Sequence, residues 1–118
     1  MKSAALALVF ASAAAIGAPA DERMAKLALD SGCTLCHAAQ SKNGGMSAMP
    51  PAPAWNDIAL RYRGQPGAEE KLVASVVHGS GPDYRHWQGK TSDLAMPPNV
   101  VEISEGDARA LVRWILHQ

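Results

Sequence analysis

Apolar residues recur at a helical period in four short stretches of this chain, and no stretch alternates apolar with polar as a half-buried strand does. From Asp21 to Ser31, DERMAKLALDS has acidic residues in its first turn and Met24, Leu27 and Ala28 at helical spacing, with Gly32 to end it. Ala54 to Tyr62 predicts a second helix with Trp55, Ile58, Ala59 and Tyr62 on one side, broken by Gly64 to Gly67. Ala68 to His78 predicts a third, with Leu72, Val73, Val76 and Val77 inward and Glu69, Glu70 and Lys71 outward. In the fourth, Ser104 caps the N-terminus with Asp107 three residues on. Ala108, Leu111, Val112 and Ile115 then form an apolar stripe, and Arg113 and His117 lie where the helix dipole favours cations. Two stretches rich in Gly, Pro and Ser, residues 38–53 and 79–99, read as long loops. The expected fold is all-α, four to five short helices.

Before these helices, Lys2, the 13-residue apolar run from Ala4 to Ile16 and the small residues Ala18-Pro19-Ala20 have the form of a secretory signal. A membrane span needs about 20 apolar residues, so retention as an anchor is the weaker reading. The expectation is a signal peptide over residues 1–20, cleaved near Ala20, an exported periplasmic protein, and one domain over residues 21–118 with no membrane anchor. Without Lys2 the 11 basic and 11 acidic side chains become 10 and 11, which leaves no basic field for nucleic acid. The one Phe lies in the leader, so the domain relies on two Tyr and three Trp for its aromatic volume. Domains this small bury only about 60% of their unfolded surface and commonly need a staple. This one is short of core.

The two cysteines, Cys33 and Cys36, stand in GCTLCH, followed at once by His37. A thioredoxin-like pair belongs in a βαβ setting, and no strands are predicted. A structural zinc site needs four ligands, typically with a second pair at short spacing, whereas His78 and His86 are eight apart, His117 is far away, and His37 crowds the cysteines. Cys-x-x-Cys-His is the attachment signature of c-type haem: two thioethers to the vinyl groups, and the adjacent imidazole on iron. Haem also supplies the apolar surface that the chain lacks. The reading is one haem c, covalent through Cys33 and Cys36, with His37 as proximal ligand.

A low-spin carrier needs a second axial ligand, and a thioether sulfur favours Fe(II). Met24 lies on a helical apolar stripe and Met46 in a Gly-rich loop. Met49 and Met96 are each followed by two prolines, which hold the preceding residue extended. Met49 follows His37 too closely, in the loop leaving the proximal side. Met96 comes after two helices, with chain enough to reach the other haem face, and is favoured.

In order, GCxxCH, PAWNDIALRYRGQPGAEEKL, a Gly-Ser turn, AMPPN and ALVRWILHQ resemble the small bacterial class I cytochromes c over about residues 24–118. The resemblance implies a fold wrapped round one haem and supports Met96 as axial ligand. It implies that the Pro53 carbonyl accepts the His37 Nδ1 proton, that Asn99 hydrogen-bonds near the Met96 sulfur and that Trp87 donates to a haem propionate. Trp114 would pack where the first and last helices cross, beside Gly32. The chain departs from the pattern at Ser75, where an arginine often partners a propionate; Arg85 and Lys90 are the substitutes it offers. His78, His86 and His117 are expected to face solvent.

The functional expectation is a monomeric one-electron carrier between respiratory redox partners, not an enzyme, which docks transiently at its exposed haem edge. Two alternatives stand beside it. One is a stable cytochrome subunit of a periplasmic dehydrogenase, for example a sulfite-oxidising enzyme. The other is a haem enzyme or sensor with an open sixth position.

Overall fold

Gly32 determines how the chain enters its Cys-x-x-Cys-His segment. The computed structural model describes residues 18–38, 49–81, 86–92, 94–99 and 102–118. Its first helix, α1 (Ala18–Asp30), ends where Gly32 adopts the left-handed conformation at φ 73°. Ser31 N donates to Leu27 O and Gly32 N to Leu29 O, both at 3.0 Å, so the last carbonyls of α1 find partners as the chain turns. The turn leads directly into a 3₁₀ turn at Cys33–Leu35. α1 starts three residues before the predicted Asp21: alanine is the best helix former, and Pro19 is tolerated in a first turn, where its missing N–H has no intrahelical partner. The rest of the expected leader lies outside the described residues, as do Met46 and Arg85.

The other helices are α2 (Trp55–Tyr62), α3 (Ala68–His78) and α4 (Glu105–Ile115). Among the described residues there is no strand, only an isolated bridge between Gln88 and Thr91. α4 is the hub, packed against each of the other three. Ala28 on α1 and Ala108 on α4 are completely buried, and Leu111, Val112 and Ile115 complete the inner face of α4. Val73, Val76 and Val77 of α3 and Trp55 of α2 join the same cluster. Leu111 is the largest fully buried side chain, 1% exposed. Leu111→Ala is expected to cost about 2–5 kcal/mol, a large part of the ~5–15 kcal/mol that holds a typical domain. A chemical denaturation midpoint checks this, and an unchanged midpoint would contradict it.

The helix ends are held by side chains. Ser104 Oγ accepts from Asp107 N at 3.1 Å, and its hydroxyl donates to Asp107 Oδ2 at 2.8 Å, a variant of the capping box in which the carboxylate meets the cap hydroxyl. At the other end of α4, Arg63 donates to the O of Leu116, the cap residue of that helix, at 2.9 Å and to Gln118 O beyond the helix. Glu69 corrects the sequence expectation. It is half-buried and turned to α4, where it accepts from Arg109 Nη1 at 2.9 Å and Arg113 Nε at 3.0 Å. The two guanidiniums hold its carboxyl below the usual range. Helical period alone put it outward; the arginines that draw it in lie 40 and 44 residues away in sequence.

Trp114 packs edge-on against Trp55, ring centroids 5.2 Å apart at 70°, and its indole donates to Asp21 Oδ1 at 2.9 Å. It therefore joins the start of α1 to α2 instead of packing beside Gly32. A Cβ at Gly32 would meet only Leu35 Cδ1, at 3.8 Å.

Candidate cofactor site

Four segments enclose a cleft of about 1010 Å³, counted out to its open mouth. Its first wall is the 3₁₀ turn after α1. There Cys36 N donates to Cys33 O at 3.2 Å and His37 N to the same carbonyl at 2.9 Å, which puts Cys33, Cys36 and His37 together on the lining. Neither thiol is in a disulfide; Cys33 is half-buried and Cys36 exposed. Burial pushes the Cys33 thiol up, against an opposing backbone hydrogen bond.

His37 is fixed by its far side. Its Nδ1 lies 2.7 Å from Pro53 O. A carbonyl only accepts, so Nδ1 carries the proton and Nε2 presents its lone pair. Burial lowers the imidazole pKa from its usual value, only partly opposed by the Pro53 bond, so the ring is neutral at pH 7, the state a metal ligand needs. Trp55 N donates to Ala38 O at 2.9 Å, and this bond ties the exit from the cysteine motif to the start of α2.

The side walls come from α2 and α3. Ile58 and Leu72 pack against the core on one side and line the cleft on the other, and Tyr62, Lys71 and Ser75 line it beside them. The apolar face of each helix is thus divided between the helical core and the cleft. Ser75 bonds back to Lys71 O at 3.0 Å. Of the two substitutes for the missing arginine, Lys90 is exposed and off the lining and Arg85 is not described. Lys71 is the cation among the described lining residues; it is exposed, as its outward position on α3 predicts, and also borders the cleft.

The last wall is the segment up to Asn99. Trp87 is half-buried on the lining, and its carbonyl accepts from Lys90 N at 2.8 Å and Thr91 N at 3.1 Å. Ser92 N then donates to Pro50 O at 2.9 Å, which closes this segment onto the one carrying Pro53. Met96 is half-buried on the lining, whereas Met49 is 56% exposed and away from it, and Met24 is in the core at 8%. Asn99 lines the cleft, but its side-chain amide donates to Pro97 O at 3.3 Å. Its own N–H is held by Val76 O at 3.1 Å, which fixes the backbone of the turn that follows Met96. His78, His86 and His117 are all exposed.

The residues fit a covalently held haem. Two free thiols and a neutral imidazole with its Nε2 lone pair available share one wall of a largely apolar cleft, and a thioether stands on another. The family model for cytochrome c matches residues 22–118. The chain belongs to the cytochrome c family. It is 38% identical over 90 residues to cytochrome c-551 of Allochromatium vinosum, covering 76% of this chain and 80% of that one. It is 34% identical over 107 residues to cytochrome c-552 of Nitrosomonas europaea, covering 91% and 89%. The crystal structure of wild-type Nitrosomonas europaea cytochrome c552 aligns with a TM-score of 0.58 at 34% identity, over 78% of this chain and 95% of that one. This cytochrome is thus a small class I monohaem electron carrier with the all-α fold, its one haem c covalent through Cys33 and Cys36.

The residues missed in the sequence are Tyr62, Lys71 and Ser80, all on the lining. Ser80 stood in the quoted Gly-Ser turn, but its partner is sixteen positions away. Tyr62 carries in the sequence only the signal of an apolar helix face.

Proposed function

We propose that this cytochrome is a periplasmic one-electron carrier with His37 and Met96 as axial ligands, serving redox partners that dock transiently. The observation that carries the reading is the meeting of four groups in one cleft: both thiols, the His37 ring held by Pro53, and Met96. Bound haem supplies a one-electron iron couple. His37, oriented and made more basic by the carbonyl behind it, supports the proximal bond. Met96 contributes a soft sulfur that favours Fe(II). Tyr62, Ile58 and Leu72 keep water from the cleft, and Lys71 offers a cation to a haem carboxylate. Trp87 stands ready at the same lining for a propionate bond. With both axial positions filled, no substrate reaches the metal, and for this reason we read the chain as a carrier and not an enzyme.

Leu94, 70% exposed at the edge of the cleft, offers the small apolar contact that a short-lived complex uses. Export rests on the leader-like residues 1–20; among the described residues no helix is long and apolar enough to cross a membrane. The test is the absorption spectrum of protein matured in an exporting host. Expected are haem that resists acid-acetone extraction, sharp reduced bands and, when oxidised, a weak far-red sulfur-to-iron band. Tight carbon monoxide binding at neutral pH would overturn the axial assignment. Co-purification with a stoichiometric partner would favour the subunit reading over the free carrier.

A further inference from the structure

The end of α3 grips the Met96 segment through a contact that electron carriage by itself does not require. Ser80 N donates to Met96 O at 3.0 Å, and Met96 N donates to Ser80 Oγ at 2.9 Å, a reciprocal pair. Three residues on, Asn99 N donates to Val76 O at 3.1 Å, one of the carbonyls that the last turn of α3 leaves open. Pro97 and Pro98 have no N–H, so Met96 and Asn99 hold the only backbone donors from 96 to 99, and α3 and its exit turn take both. Gly79 makes the approach close. At φ 87° it occupies the region that favours glycine, and a Cβ there would lie 2.9 Å from Met96 O and 3.3 Å from Pro98 Cδ.

Of these three bonds, only one depends on a side chain that substitution can remove. We propose that the Ser80 hydroxyl is the positioning group that keeps the Met96 segment closed, and so sets how readily the sixth coordination position opens to another ligand. The proposal rests on the reading of Met96 as axial ligand. Ser80 touches the backbone of Met96, not the iron, and acts through it. Opening of a short, proline-stiffened segment is a local event with its own free energy, separable from global unfolding. Without the hydroxyl, Met96 N–H is left at a half-buried position with no partner from α3, and the closed state loses that preference. Ser80 and Met96 both line the cleft, so the bond that fixes the Met96 backbone lies at the site itself.

The experiment uses the haem-loaded full chain, oxidised, as wild type, Ser80→Ala and Ser80→Thr. Imidazole is the entering ligand, followed by loss of the far-red band. Ser80→Ala is expected to bind imidazole about five- to tenfold more tightly, the scale of one ordinary hydrogen bond. Its reduced spectrum and helical circular dichroism should be unchanged. Ser80→Thr, which keeps the hydroxyl, should restore wild-type binding. Imidazole affinity in Ser80→Ala equal to wild type would overturn the proposal, as would equal weakening in both variants. If Ser80→Ala does not fold, amide hydrogen exchange in the wild type decides. A Met96 N–H protected, but opening more easily than the α4 core, supports the clasp; an unprotected one overturns it. A wild-type spectrum with covalent haem but no sulfur band would defeat the axial reading itself, and is recognised before any variant is made.

Discussion

The Cys33→Ala, Cys36→Ala double variant, purified free of haem, is expected to keep part of its helix signal but show no cooperative thermal transition. The helical core is a single small cluster built around α4, with alanines at its tightest points. Ile58, Leu72, Trp87 and Met96 are each only half-buried by protein. Leaving them so forfeits roughly 1 kcal/mol apiece relative to full burial. Together that is about 4 kcal/mol, close to the whole stability of a domain at the lower end of the ~5–15 kcal/mol range. The irregular segments 49–54, 86–92 and 94–99 lose further, because ordering each residue costs about 1–2 kcal/mol. α1 and α4 can still associate through Ala28, Ala108 and Leu111, hence the residual helix and a molten character. Circular dichroism with a thermal scan decides it: a sharp two-state melt with native helicity would mean that the cleft walls stand without their cofactor.

The parts legible in the sequence are those whose causes are local. α3 runs over Ala68–His78 as its apolar period and flanking glycines predict, and the Ser104–Asp107 cap forms within one turn. The Cys-x-x-Cys-His motif is a five-residue signal, and Met-Pro-Pro declares a stiff extended segment without any tertiary information. Contacts across the fold were not legible. Arg63 finds the carbonyl of Leu116, the cap of α4, 53 residues away, Glu69 finds Arg113 at 44 and Ser80 finds Met96 at 16. In each case the residue type is ordinary and only the folded path gives it a partner. Lys71 and Tyr62 show the same limit on helices. Period tells which face is apolar, but not that α2 and α3 each divide their faces between a core and a cleft. Met49 and Met96 carry the same local signal, and burial separates them: one is 56% exposed, the other is on the lining.

That separation makes Met96→Ala the more decisive substitution. In the haem-loaded protein it is expected to abolish the far-red sulfur-to-iron band while leaving attachment intact, since Cys33 and Cys36 lie on another wall. Removing the thioether removes the ligand that favours Fe(II). The midpoint potential should therefore fall by more than about 59 mV, a tenfold change in the Fe(II)/Fe(III) ratio for a one-electron couple. The side chain also closes part of the cleft, so imidazole and cyanide should bind without displacing anything, and faster than in Ser80→Ala, where the sulfur still competes. Met49→Ala is the control. Its side chain is mostly in solvent, and band, potential and ligand binding should all stay at wild-type values. Should the band survive in Met96→Ala and vanish in Met49→Ala, the chain would have to bring its 49–54 segment across the cleft on haem binding, and the axial assignment would pass to Met49.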